Sequence, residues 1–154
     1  MRAHLRKEFE MIRVLFLLLL VTSLPAFASN PESSKTVVVS FYKMAFGDHK
    51  PRAAADQFIG DKYIQHNPKV PDGKKAFVDF FEPFFKGHPE HHAEITQVIA
   101  DGNLVALHVH SQTTKEERGR AIVDIFRVEN GKIVEHWDVI QDIPEKSVNS
   151  NTMF

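Results

Sequence analysis

An aspartate stands inside the apolar stretch Ile122-Val123-Asp124-Ile125-Phe126, and further along the chain His136 and Asp138 sit two residues apart in a second apolar stretch. A carboxylate between Ile122 and Phe126 must accept hydrogen bonds, meet a positive partner, face water or keep its proton. It is either a structural carboxylate satisfied by its neighbours or a perturbed acid suited to proton transfer. His136 and Asp138 share one strand face, within reach of each other and of a third group across a sheet. In such a pair the carboxylate orients the imidazole and stabilises its protonated form, which makes the imidazole a general base. His66 and Asn67 form another candidate. They end the run Tyr63 to Pro68, where a structured segment gives way to the loop Lys69 to Gly73, and a lone histidine there more often serves structure than chemistry.

The hairpin Ala121 to Gln141 must position the first group. Asn130-Gly131 is suited to a tight type I′ turn, with β-branched and aromatic residues on both sides. Alternation puts Ile122, Asp124, Phe126 and Val128 on one face. In the second strand it groups Val134, His136, Asp138 and Ile140 against Ile133, Glu135, Trp137 and Val139. Ala93 to Ala100 and Asn103 to Gln112 form two more strands around Asp101-Gly102, and the charged run Thr113 to Gly119 is a hairpin tip. In the latter strand Leu104, Ala106, His108 and His110 oppose Val105, Leu107 and Val109. Pattern alone buries the apolar set and exposes both histidines, whereas a sheet covered on both sides would turn His108 into a cavity.

Helical spacing of apolar residues predicts helices over Lys35 to Gly47, Pro51 to Phe58 and Lys74 to Lys86. The last carries Phe77, Phe80, Phe81, Phe84 and Phe85 on one side, an aromatic stripe that suits a core, and Pro83 should kink or end it. The run Gly87 to His92 is rich in histidine, but its residues are consecutive in a Pro/Gly-bounded loop and lack built metal-ligand spacing.

Arg2, Arg6, Lys7 and Arg13 precede the apolar run Val14 to Leu20, and Ala26-Phe27-Ala28 is a small-x-small cleavage pattern, so residues 1–28 read as a signal peptide. Periplasmic or secreted location follows, with no membrane attachment after cleavage. Removing the leader moves the formal charge from −1 to −3 and leaves no basic patch for nucleic acid. No cysteine is present, which excludes disulfides, thiolate nucleophiles and Cys-type zinc sites. Ser29 to Ser34 reads as a polar linker, residues 35–144 as one domain with one core, and 145–154 as a flexible tail.

YIQHNP with the following PDGKKAF, then ADGNLVALHVH and above all VDIFRVENGKIVEHWDVIQ, resembles the nuclear transport factor 2-like superfamily, and within it the SnoaL-like group of polyketide cyclases and aldol-condensation proteins. The resemblance implies an α+β cone: a curved antiparallel sheet of at least four strands, wrapped by three helices around a pocket. It implies no cofactor and a homodimer through the outer sheet face, where Trp137 and Val139 would lie. In the related ketosteroid isomerases the aspartate matching Asp124 hydrogen-bonds an enolate oxygen, and in the cyclases a strand aspartate is the general acid/base. The isomerase base falls at Asn67, which cannot take a proton, and the isomerase tyrosine falls near Ser40.

The chemistry implied is proton abstraction beside a carbonyl, with a small apolar or aromatic carbonyl compound as substrate. Asp124, His136, Asp138 and His66 are the catalytic candidates; Tyr63, Asn67, His108, Phe126 and Phe81 are candidates for contacting the substrate. Two other readings stand beside this one: a non-catalytic ligand-binding or interaction domain on a widely reused scaffold, and a metal site drawn from His66, His108, His136 and Asp138.

Overall fold

The computed structural model describes residues 30–154. The signal peptide and its cleavage point lie outside the described residues. Helix α1 (Pro31–Tyr42) begins earlier than its apolar periodicity suggests, because Asn30 caps it by accepting the Glu32 N–H at 3.0 Å. A capping Asn followed by Pro at the helix start is a strong initiation signal. Most of the segment expected as a linker is therefore the first turns of α1. A π turn, Lys43–Gly47, extends it. Helix α2 (Pro51–Phe58) and helix α3 (Lys74–Gly87) follow, and Pro83 lies inside α3 rather than ending it.

Five strands form one sheet in the order β1-β5-β4-β3-β2: β1 (Ile59–Gln65), β2 (His92–Asp101), β3 (Leu104–Gln112), β4 (Arg120–Glu129) and β5 (Lys132–Asp142). The last four are antiparallel neighbours, and β1 pairs parallel to β5 at the edge. The β4–β5 turn has φ 51° at Asn130 and 73° at Gly131, as a type I′ hairpin requires. Strand β1 was not expected, because IGDKYIQ holds Gly, Asp and Lys in seven residues and belongs to an edge.

Cross-strand rows fix the two sheet faces. Val98, Leu107, Asp124 and Asp138 line up on one face, beside the row Ala100, Val105, Phe126 and His136. The helices cover this inner face: Phe41 of α1, 1% exposed, packs its ring 5.8 Å from Phe126 and 5.4 Å from Phe77 of α3. Residues Ile99, Ala106, Ile125 and Trp137 form a row on the outer face. One face assignment needs correction. Arg127 pairs with Glu135 but Val128 pairs with Ile133, so a bulge at Val134 breaks strict alternation. Ile133 is consequently fully buried with the core, where unbroken alternation would place it with Trp137.

The histidine-rich run packs against α3. His91 is buried, its Nε2 lies 3.3 Å from Ser111 Oγ, and its Nδ1 has no partner. His49 stacks flat on Phe85 and reaches the His91 carbonyl at 3.0 Å. Burial first, then the neighbouring His49, pushes the His91 imidazole down to about 4. Smaller contributions in the same direction come from Arg120, His92 and His88. A buried imidazole with a lowered value stays neutral in the fold while the unfolded chain takes up a proton. Its contribution to stability is therefore complete above the unfolded value of 6.5 and fades as pH falls towards 4. We expect the melting temperature to fall across that window, with up to about 3 kcal/mol lost. The fall should be smaller in His91→Phe, as thermal denaturation against pH will measure.

Candidate active site

Asp124 is central to β4 and directly faces Asp138 across the β4–β5 ladder, while His136 is opposite Phe126. A carboxylate oxygen from each aspartate and a ring nitrogen of His136 lie within 4.8 Å of one another. Asp124 is 7% exposed and His136 8%; Asp138 is half-buried. The partners of the three groups come from helix α1, the end of β1 and the loop that follows it. Tyr42, the last residue of α1, donates its hydroxyl to Asp124 Oδ2 at 2.8 Å. His136 Nε2 lies 3.0 Å from Asp124 Oδ1. His136 Nδ1 lies 2.9 Å from Gln65 Oε1 at the end of β1. The Asn67 amide, two residues further, donates to both oxygens of Asp138 at 3.0 and 2.8 Å.

The imidazole is thus paired with Asp124 across the strands, not with Asp138 along its own strand. Asp124 and His136 are diagonal neighbours on adjacent strands, a separation that a side chain as long as histidine spans. Phe126 packs its ring 4.8 Å from His136, and Tyr63 lies parallel to it at 6.5 Å. Burial, then the Asp124 and Asp138 charges, raises the Tyr63 phenol, while a bond from the Gln65 side chain acts the other way. Burial and the same two carboxylates hold the Tyr42 phenol well above its ordinary value, so it remains a donor.

Asp124, His136, Asp138, Asn67, Tyr63 and Phe126 are therefore gathered on the inner face. His66 and His108 are not. The His66 ring stacks on Trp137 at 4.6 Å and its Nε2 donates to Glu135 at 2.7 Å. Glu135 is also bound by Arg127 at 2.6 Å, and His66, then Arg127, hold its carboxyl below the usual range. Backbone alternation explains the placement: Gln65 turns inward to His136, so His66 turns outward. His108 pairs with Val123 in an outer row, and its ring meets Phe154 of the tail at 5.2 Å. The metal set of His66, His108, His136 and Asp138 is consequently not assembled. Phe81, half-buried, is one ring away, touching Phe46, which in turn lies 4.4 Å from Tyr42.

Two groups of the cluster were missed. Tyr42 follows Val38 and Phe41 and precedes Ala45 at helical spacing, which should have marked it as an inward hydroxyl in need of a partner. Gln65 was hidden because its strand was not recognised. Two surface clefts lie elsewhere. One of about 620 Å³ lies beside α2 and α3 and includes His49, Arg52 and Glu82; one of about 520 Å³ is lined by His91, Gln112 and Lys115. Neither is lined by a member of the cluster.

Structures with the same fold come from several bacteria. A candidate ketosteroid isomerase from Kribbella flavida superposes with a TM-score of 0.63 at 15% identity, covering 79% of this chain and 87% of that one. A candidate polyketide cyclase from Acidithiobacillus ferrooxidans gives 0.59 at 16% identity, covering 77% and 91%. A SnoaL-like protein of unknown function from Burkholderia thailandensis gives 0.59 at 14%, covering 74% and 98%. These superpositions establish the common α+β, NTF2-like fold. No curated protein matches the sequence. The SnoaL-like domain pattern matches residues 38–136, which run from the buried face of α1 through every strand to His136. The chain belongs to the SnoaL-like domain family.

Proposed function

We propose that the protein abstracts a proton next to a carbonyl in a small, uncharged, mostly apolar substrate, in an aldol-type cyclisation or an isomerisation. The observation that carries this reading is the convergence of Asp124, His136 and Asp138 on one sheet face. Enolate chemistry needs a base for the carbon acid and a donor for the oxygen that gains charge, held in a pocket with little water. Asp138 suits the base. It is the more exposed of the two carboxylates, and its direct partner is the neutral amide of Asn67. Asp124 is committed to Tyr42 and His136.

In the step proposed, Asp138 takes the α-proton as the C–H bond breaks. The electron pair forms the enol double bond, and the carbonyl oxygen takes the proton held between His136 and Asp124. Return of that proton, with reprotonation at another carbon, completes an isomerisation. In a cyclisation the enol carbon instead attacks a second carbonyl of the same molecule, whose oxygen takes the proton from Asp138 while the enol O–H returns its proton to the Asp124–His136 pair. The direct partners of the three groups are Tyr42, Gln65 and Asn67, all uncharged, which favours a substrate without a carboxylate at this point.

The outer face supports assembly with a second copy. Ile99 and Val139 are 66% and 69% exposed there, and Val123 is 38% exposed next to Val139. Apolar residues grouped on an open sheet face favour a covering partner. We expect a dimer by mass in solution and a monomer for Val139→Glu; an unchanged mass in that variant would place the contact elsewhere.

The activity is tested by incubating the protein with a panel of neutral ketones in heavy water and following α-proton loss by NMR. Asp138→Asn and Asp124→Asn should each lower exchange by at least about 100-fold. If no ketone exchanges faster than in buffer while some shift resonances of the inner face, the domain binds small molecules without turning them over.

A further inference from the structure

The proton inventory of the cluster can be read from its heavy atoms. Gln65 Oε1 accepts the backbone N–H of Asn67 at 3.0 Å. A backbone N–H only donates, so the Gln65 atom there is oxygen, not the amide nitrogen. The same oxygen lies 2.9 Å from His136 Nδ1. Two lone-pair atoms at that distance repel unless one carries a hydrogen, so Nδ1 is protonated. With Nδ1–H fixed, a neutral His136 would direct the lone pair of Nε2 at Asp124 Oδ1, 3.0 Å away. That contact needs a second proton. Tyr42 cannot supply it, because its hydroxyl hydrogen is directed at Asp124 Oδ2.

We propose that Gln65 is a positioning residue that loads the Asp124–His136 pair with a second proton, making the pair the acid of the reaction and leaving Asp138 as its base. The pair holds either imidazolium with carboxylate or imidazole with carboxylic acid. Both have zero net charge, and the three groups together carry −1 with Asp138 ionised. Without an acceptor at Nδ1, the imidazole would need only one hydrogen, on Nε2 and directed at Asp124. The pair would then be anionic, and the proton left between the two groups would belong to a neutral imidazole, a far weaker acid towards the enolate oxygen.

Among the described residues, Gln65 Oε1 is the one partner at hydrogen-bond distance from His136 Nδ1. Tyr63 lies parallel to the ring, Phe126 packs against it, Tyr42 is held by Asp124, and Asp138 is bound by Asn67. Glu135, the other nearby carboxylate on β5, belongs to the outer face with Arg127 and His66. Gln65 is itself fixed, since the Asn67 N–H stops its amide from flipping.

This inference rests on the enolisation reading for its purpose but not for its test. Long-range proton–nitrogen NMR of the protein labelled with ¹⁵N-histidine reports each ring nitrogen of His136 directly. The wild type should show Nδ1 protonated. Gln65→Met, which keeps the length and removes the acceptor, should show Nδ1 as a bare lone pair at neutral pH, and Gln65→Glu should restore the proton. A bare Nδ1 in the wild type, or no change in Gln65→Met, overturns the assignment; the wild-type spectrum alone decides if that variant does not fold. On a ketone that the wild type exchanges, Gln65→Met should lower the rate by about tenfold or more with KM within about threefold, because an acid is lost and not a binding contact. A protonated Nδ1 with no ketone exchanged would leave the loading intact and remove the enolisation reading. Exchange with a bare Nδ1 would do the reverse.

Discussion

The buried carboxylate of Asp124 is the constraint around which the other parts are placed. A carboxylate buried without partners costs several kcal/mol, whereas each hydrogen bond to a charged group contributes about 1.5–3 kcal/mol. Two bonds therefore about offset the burial and leave little margin. They come from different ends of the chain: Tyr42 from the first helix and His136 from the last strand. Helix α1 must lie across the sheet at a fixed height for the phenol to reach Oδ2, and the ring contacts of Phe41 with Phe126 and Phe77 hold it there. Core packing and site geometry are the same problem in this domain.

The bulge at Val134 does comparable work on the last strand. Ile133 and His136 both reach the inner face because Val128 pairs with Ile133 while Arg127 pairs with Glu135. Strict alternation would force a choice between filling the core at position 133 and placing an imidazole at 136. The extra residue lets the strand do both, and it leaves Glu135 facing out to join Arg127 and His66. The outer network in turn anchors the end of β1, since His66 follows Gln65 directly. Through that link a surface ion pair helps set the position of the amide that meets His136.

Much of the architecture was legible. Asn130-Gly131 specified the central hairpin because few residues accept two successive positive φ angles, and the phenylalanine spacing of α3 specified a core face that buries Phe77 and Phe85 but leaves Phe80, expected in the same stripe, 54% exposed. Alternation identified the face shared by Asp124, Phe126, His136 and Asp138, whereas the direction of His108 was left open by the pattern of β3, and both His108 and His110 lie half-buried on the outer face beside Phe154. What was not legible depended on tertiary context. An edge strand with Gly, Asp and Lys has little pattern of its own, so β1 and the inward direction of Gln65 were lost together. The direction of His66 was lost with them, since it follows from the strand that precedes it. The pairing of His136 with Asp124 depends on the relative stagger of two strands, and a one-dimensional spacing such as His-x-Asp favours the nearer residue in sequence over the nearer one in space.

The asparagine at position 67 becomes intelligible in this light. In the isomerases that the chain resembles, a carboxylate stands where Asn67 stands. Here the Asn67 amide meets both oxygens of Asp138 within 3.0 Å. Carboxylates at both positions would repel at that distance, and one would have to keep its proton. An amide at 67 removes the conflict and donates to both oxygens of Asp138. A carboxylate is thus still present beside position 67, supplied by the neighbouring strand. If chemistry depends on where charge stands and not on which strand carries it, the loss of an acid at 67 is compatible with the same class of proton transfer. In the reaction proposed above, that requirement passes to the donors around Asp138 and to the Asp124–His136 pair.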